Sequence, residues 1–245
     1  MVYLAIGVLA VVAALLYQAR GVIGAVWADT KVRAGDYEGA LRRLHWASLG
    51  SPNPVLCHKE GLILALAGRP AEAEPCFRKA LSLVQAGFAY PRQRLLASQG
   101  FALIDLARYD EAEQCFHRAI EAGDETGNSQ DGLAELRLVR GVEAEKALDY
   151  ACQAIEHAKR RADGRIPGSY YALQAWALGL LGRGEEAREA LRALVPNAHG
   201  ASLHWRAGMA LLAMGQADEA RAHFQKGHDL DPRGKYGRRC ADRLG

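Results

Sequence analysis

Apolar and polar positions along this chain follow a helical period, and the period is itself repeated. Alanine stands at the same point of six successive copies, Ala40, Ala73, Ala112, Ala147, Ala187 and Ala220, at spacings of 33, 39, 35, 40 and 33 residues. Four residues later come Leu44, Phe77, Phe116, Ala151, Leu191 and Phe224, and seven later Ala47, Ala80, Ala119, Ala154, Leu194 and Gly227. Both sets share the alanine's helical face. Five residues before it, where the chain must reverse, stand Gly35, Gly68, Ala107, Val142, Gly182 and Gly215. Twelve before it the residue is small (Ala28, Gly61, Gly100, Ala175, Gly208) except at Glu135. The pattern predicts about six units of two antiparallel helices each, and no run alternates as a strand would.

This order of small, large and small residues resembles the tetratricopeptide repeat, a helix-turn-helix unit of about 34 residues. The resemblance spans 21–232 and is fullest in WRAGMALLAMGQADEARAHFQKGHDLDP (Trp205 to Pro232), LARYDEAEQCFHRAI (106–120) and KEGLILALAGRPAEAEPCFRKAL (59–81). It implies an all-α, right-handed superhelical solenoid in which no unit can bury its apolar face alone, so that stability is shared between neighbours. Three places depart from the pattern. The Ala147 unit has Glu135 in the small slot and no aromatic residue after its alanine; Pro196 should shorten the second helix of the Ala187 unit; and Pro75 lies near the start of a helix, where a kink is expected rather than a break. The polar stretches 122–132 and 159–169 read as long loops or bends.

The chain opens with MVYLAIGVLAVVAALLY, seventeen residues without a charge. As a helix this run spans about 25 Å, somewhat short of the roughly 30 Å hydrocarbon core, a difference that local thinning could absorb. Tyr3 and Tyr17 fall near its ends, where amphipathic rings favour the interface. Nothing basic precedes the run and no small-x-small cleavage site follows it, which argues against a cleaved signal. The run is read as a transmembrane anchor within 1–20, followed by the repeat array over 21–232 and a basic capping segment over 233–245. A cleaved signal or a first repeat helix buried in protein are the alternatives. Arg20, Lys31 and Arg33 follow the run, so the repeats are expected on the cytoplasmic side of a single-pass anchor, by analogy a bacterial inner membrane.

Composition adds little to this picture. A net charge of +3 over 245 residues does not call for nucleic acid, although Lys159, Arg160, Arg161 and Arg165 form one basic cluster and Arg233, Lys235, Arg238, Arg239 and Arg243 another. The second admits contact with anionic lipid, while base stacking has little support with so few aromatic residues interleaved. The five cysteines, at 57, 76, 115, 152 and 240, contain no Cys-x-x-Cys and suggest neither a disulfide framework nor a zinc site; Cys76 and Cys115 read as small buried hydrophobes.

No phosphate-binding loop, nucleophile elbow or zinc-protease motif is found. His199 with His204, and His223 with His228, are five apart, about 140° around a helix, so neither pair shares a face. The acidic pairs Asp110–Glu111, Glu185–Glu186 and Asp218–Glu219 fall in the first turn of a second helix, where the dipole favours carboxylates. No catalytic, metal or cofactor site is assigned, and the chain reads as a binding protein rather than an enzyme.

In the resembled fold the first helix of each unit lines the concave face. The slots that point into it hold Leu62, Phe101, Ile104, Leu136, Trp176, Trp205 and Met209, an apolar set without the basic and amide groups that would grip a carboxyl terminus. It is either a groove for a hydrophobic segment of a partner protein or peptide or is covered by the protein's own helix. The expected function is a membrane-anchored adaptor, with a soluble or secreted chaperone-like subunit as the alternative.

Overall fold

The computed structural model describes residues 20–49, 53–161, 163–194 and 200–245. All regular structure among them is helical. The uncharged run 1–17, and with it the anchor, lies outside the described residues, and among those described no helix is long and apolar enough to cross a membrane. The chain divides into two compact units, one ending at Tyr90 and the other beginning at Pro91. A single continuous array was expected. The division falls in a segment that helix propensity cannot bridge, with Gly87 at φ 100°, an exposed Phe88 and Pro91 ahead of the next helix.

The first unit contains α1 (helical over 20–33), α2 (Tyr37–Ser48), α3 (Pro54–Leu66) and α4 (Pro70–Gln85). Side-chain caps start two of these helices: Asp36 accepts from the Gly39 amide and Asn53 from the Val55 amide, each at 2.8 Å, satisfying donors that a helix leaves open. Pro75 lies inside α4 without ending it. The second unit contains α5 (Arg92–Asp105), α6 (Tyr109–Glu121), α7 (Asn128–Arg140), α8 (Ala144–Arg160), α9 (Gly168–Leu180), α10 (Gly184–Arg192), α11 (Ala201–Ala213), α12 (Ala217–Leu230) and α13 (Lys235–Ala241). The six expected hairpins are thus α1/α2 to α11/α12, and α13 forms from the basic C-terminal segment.

The hairpins close as the spacing predicts. All six alanines at the repeat point are fully buried. A phenylalanine four residues on is driven into a notch left by glycine: a Cβ on Gly61 would lie 2.5 Å from the Phe77 ring, on Gly100 2.7 Å from Phe116, and on Gly208 2.4 Å from Phe224. Phe116 also meets Gly132 of the next hairpin, where a Cβ would come within 2.2 Å of it. The small residue of the α7/α8 pair is therefore Gly132, and this frees Glu135 for another role. α10 is the shortest of the paired helices and ends at Arg192, ahead of Pro196.

The stretch 122–132 differs from its expected loop. Only 122–127 is irregular, and α7 begins at Asn128. The cause is Asp124, whose carboxylate accepts from the Ser129 amide at 2.9 Å, the Thr126 amide at 3.0 Å and the Ser129 and Thr126 hydroxyls at 2.5 Å each. One acidic side chain thus replaces the donors' water and lets a polar sequence enter a helix. Within 159–169 the break is likewise confined to the residues between Arg160 and Gly168.

The reversal slot takes positive φ at Gly35, Gly68, Gly182 and Gly215, and also at Ala107 (56°). At Val142 the reversal is made instead by its neighbours, Gly141 at 70° and Glu143 at 52°. A non-glycine residue in this region is sterically disfavoured. Ala107→Gly should therefore stabilise the protein by about 0.5–1 kcal/mol, and Gly215→Ala at φ 75° should destabilise it by about as much. Thermal midpoints of the two variants should move in opposite directions; shifts of the same sign would contradict the assigned turn geometry.

Candidate interaction site on the concave face of the second unit

The first helices of the pairs in this unit pack side by side, α5 on α7, α7 on α9 and α9 on α11. α13 lies over them. A seven-residue helix is only about 10 Å long, yet α13 reaches both ends of the row. Tyr236 packs on Trp205 of α11 with ring centroids 5.8 Å apart, and Lys235 binds Asp105 of α5 at 2.8 Å. Such a span requires the face to curve inward around α13.

Charge, rather than apolar packing, organises the centre of this face. Arg206 of α11 donates to both Asp131 oxygens at 3.0 Å, to a Glu135 carboxylate oxygen and to the Ser169 carbonyl at 3.5 Å, so that it ties α7, α9 and α11 together. Asp131, Glu135 and Arg206 are all buried. From α13, Arg239 donates to Asp105 at 2.9 Å and approaches Glu135 at 3.8 Å, with its guanidinium 4.9 Å over the Trp205 ring. Trp176 meets Trp205 edge-on at 5.5 Å. Burial pushes the Asp131 carboxyl up to about 6 against the pull of Arg206, and the Glu135 charge adds to the rise. Burial acts on Glu135 as well, but Arg206, Lys235 and Arg239 outweigh it and hold that carboxyl below its usual range.

The expected groove residues are therefore not one open apolar surface. Ile104, Leu136, Trp176 and Trp205 are buried, Leu136 completely. Their apolar side chains pack in the core, and Trp205 also contacts Tyr236 of α13. Phe101 and Met209 are half-buried, and Phe101 packs edge-on against Phe116 at 5.2 Å. Leu62, in the first unit, is 39% exposed. The second basic cluster is also split: Lys235 and Arg239 turn inward to the acids, while Arg233, Arg238 and Arg243 stay exposed.

Asp105, Asp131, Arg206 and Tyr236 were not singled out by sequence. The available signal was Glu135, a long acid in a slot reserved for small residues. The histidines combine differently from their sequence pairing: His204 of α11 faces His223 of α12, Nδ1 to Nδ1 at 3.2 Å, and burial with Lys226 lowers the His223 value. The cysteines are free thiols, and burial pushes Cys76 up to about 12 and Cys240 up to about 11, values unsuited to a nucleophile. Among the described residues no group of three or more His, Cys, Asp or Glu side chains is placed to hold a metal ion.

The tetratricopeptide repeat family model matches residues 55–83, 94–122 and 201–233, which correspond to the α3/α4, α5/α6 and α11/α12 hairpins. Three of the six hairpins thus match the tetratricopeptide repeat. Solved structures agree on the fold. The chain is similar to TTC0263, a thermophilic tetratricopeptide repeat protein in Thermus thermophilus, at 19% identity and TM-score 0.58, over 78% of this chain and 99% of that one. A chain of the APC/C hetero-tetramer Cut9-Hcn1 matches at 14% identity and TM-score 0.66, over 91% of this chain and 42% of its own length. MamA 41-end from Desulfovibrio magneticus RS-1 matches at 18% identity and TM-score 0.51, over 71% and 93%. At these identities the likeness concerns fold alone. No curated protein matches.

The carboxyl chemistry of the repeat face is testable. With Asp131 near 6 in the native state and about 3.9 when unfolded, the folded protein holds a proton at pH 5 that the unfolded chain releases. That contribution is complete below about pH 4 and is lost as pH rises through 6. The depressed His223 acts oppositely in the same window, so comparison with Asp131→Asn isolates the carboxyl. The parent's thermal midpoint should gain on the variant's between pH 7 and pH 5. A difference that stays constant would mean that Asp131 is ionised throughout.

Proposed function

We propose that the protein is a non-enzymatic interaction scaffold, tethered to a membrane by residues 1–17, that engages a partner protein through the concave face of its second unit. The observation that carries the scaffold reading is the docking of α13: this face binds a helix through two carboxylates and an indole. Tetratricopeptide repeats offer such a face without a deep cleft for chemistry, which favours recognition over catalysis. The partner's entry is beside α13, where a cleft of 420 Å³ is lined by Val139, Trp205, Arg239, Asp242 and Arg243.

The tether is supported by the residues immediately after the apolar run. On α1, Val22 and Val26 are 67% and 55% exposed. Trp27 stacks on Trp46 of α2 at 6.4 Å, and Arg43 and Arg20 lie over the two indoles at 5.1 and 5.8 Å. Aromatic rings combined with cations next to an uncharged stretch are the composition of a membrane–water interface. The positive residues Arg20, Lys31 and Arg33 favour a cytoplasmic repeat domain, in a bacterial inner membrane by the analogy drawn from sequence.

Two measurements test this reading. A photo-crosslinking residue at Phe101 or Met209 in the native cell should trap a discrete partner protein, whereas the same residue at Arg188, on the exposed side of α10, should not. Absence of an adduct at every groove position would remove the scaffold reading. Carbonate extraction should leave the full chain with the membrane fraction and release a chain lacking residues 1–17; release of both would remove the tether.

A further inference from the structure

We infer that the concave face of the second unit is a receptor for a partner's short helix that carries an aromatic ring flanked by cations, and that α13 is a resident ligand which this helix replaces. The inference rests on the scaffold reading and gives its partner a chemistry. The pattern on α13 is Lys235-Tyr236-x-x-Arg239, with all three side chains turned toward the face.

The charge balance of the face selects that pattern. The network holds three carboxylates, Asp105, Asp131 and Glu135, against one guanidinium from the repeats, Arg206. Lys235 and Arg239 make up the deficit of two. The Asp105 side chain is only 6% exposed and bonds to both α13 cations. A buried carboxylate left without a cation is costly, so the face disfavours being empty and also disfavours neutral or acidic occupants. The indole edge of Trp205 supplies the second requirement, because Tyr236 and the Arg239 guanidinium both pack on that ring. An aromatic side chain between two cations meets both requirements at once; a purely aliphatic segment meets neither.

The hold on α13 is light enough to be contested. Seven residues are too few to sustain a helix by themselves, and no side chain caps its start. Its backbone approach to the preceding turn depends on Gly237, where a Cβ would lie 1.8 Å from the Asp231 carbonyl oxygen. On its inner side α13 buries Cys240 against Gly227, and the cleft beside Arg239 leaves the Trp205 edge approachable. A covalent tether raises the effective concentration of a weak ligand. Weak contacts strengthened by a tether are what a stronger free helix can displace.

The probe is a labelled peptide of residues 231–245 with Cys240→Ser, added to the full chain in membranes or detergent. Only the fraction of molecules with α13 undocked can bind it, and apparent affinity falls by that fraction. A Lys235→Ala/Tyr236→Ala/Arg239→Ala variant should therefore bind the peptide at least tenfold more tightly than the parent. Adding Asp105→Asn and Glu135→Gln to that variant should abolish the gain. Failure of the folded triple variant to bind would overturn the inference. If that variant does not fold, the parent decides: millimolar peptide should accelerate hydrogen exchange of the 235–241 amides, and unchanged exchange overturns the proposal. A parent that is a dimer with α13 exchanged between copies would assign the face to a second copy and also overturn it. Loss of peptide binding with crosslinked partners retained at Phe101 and Met209 would refute this chemistry while leaving the scaffold reading in place; loss of both would remove the scaffold reading.

Discussion

Three hairpins in this protein, α3/α4, α5/α6 and α11/α12, depend on a benzene ring occupying the space where a Cβ would be. Phe77, Phe116 and Phe224 are fully buried, and each lies closer to a glycine Cα than any substituted residue would permit. The constraint acts in both directions. A larger residue at Gly61, Gly100 or Gly208 would force the helices apart, and a smaller residue in place of the ring would leave a void of the kind that destabilises in proportion to its size. Because the notch fixes both the separation and the rotation of a helix pair, it determines which residues of the first helix point inward. The site on the concave face is thus a consequence of the packing behind it.

The α7/α8 hairpin shows how the array tolerates an exception. Ala151 replaces the ring, and the α7 glycine, Gly132, receives Phe116 from the preceding pair instead. That exchange shifts the small position by one turn and leaves Glu135 on the inward face of a helix buried on nearly all sides. A carboxylate there could be neutralised by a proton, but Arg206 reaches it from two pairs away. Buried ion pairs of this kind add little net stability over apolar packing, yet losing one partner is expensive. Their contribution is to specificity: Arg206 of α11 bonds to α7 and α9 in one relative arrangement, where Ala-on-Ala contacts alone would allow several.

What could be read from sequence depends on the range of the interactions. The six hairpins were legible because their signals lie within seven to twelve residues of one another, on the same helix or its immediate partner. The end of α10 ahead of Pro196 and the carboxylates in first helical turns were legible for the same reason. The docking of α13 was not, since Lys235 and Asp105 are 130 positions apart and nothing in RGKYGRR separates inward from outward cations. Polarity misled at 122–132, where Asp124 gathers nearby donors and starts a helix among residues that favour loops. For the groove positions the sequence left two occupants open, because periodicity does not distinguish them: an inward slot looks the same whether a partner or the protein's own helix covers it.

That ambiguity carries a physical consequence for recognition. The segment covering the face satisfies two demands simultaneously, shielding the Trp176–Trp205 pair from water and supplying cations to acids that burial would otherwise leave uncompensated. Neither demand disappears when α13 leaves, so a competing ligand must meet both to gain access. Affinity for any partner is consequently a difference between two occupied states, not the strength of one set of contacts, and specificity arises as much from what α13 already satisfies as from what the partner adds. A face built in this way rejects hydrophobic segments that an open apolar groove would accept, because displacing α13 with an uncharged helix would exchange two ion pairs at Asp105 for a bare buried carboxylate.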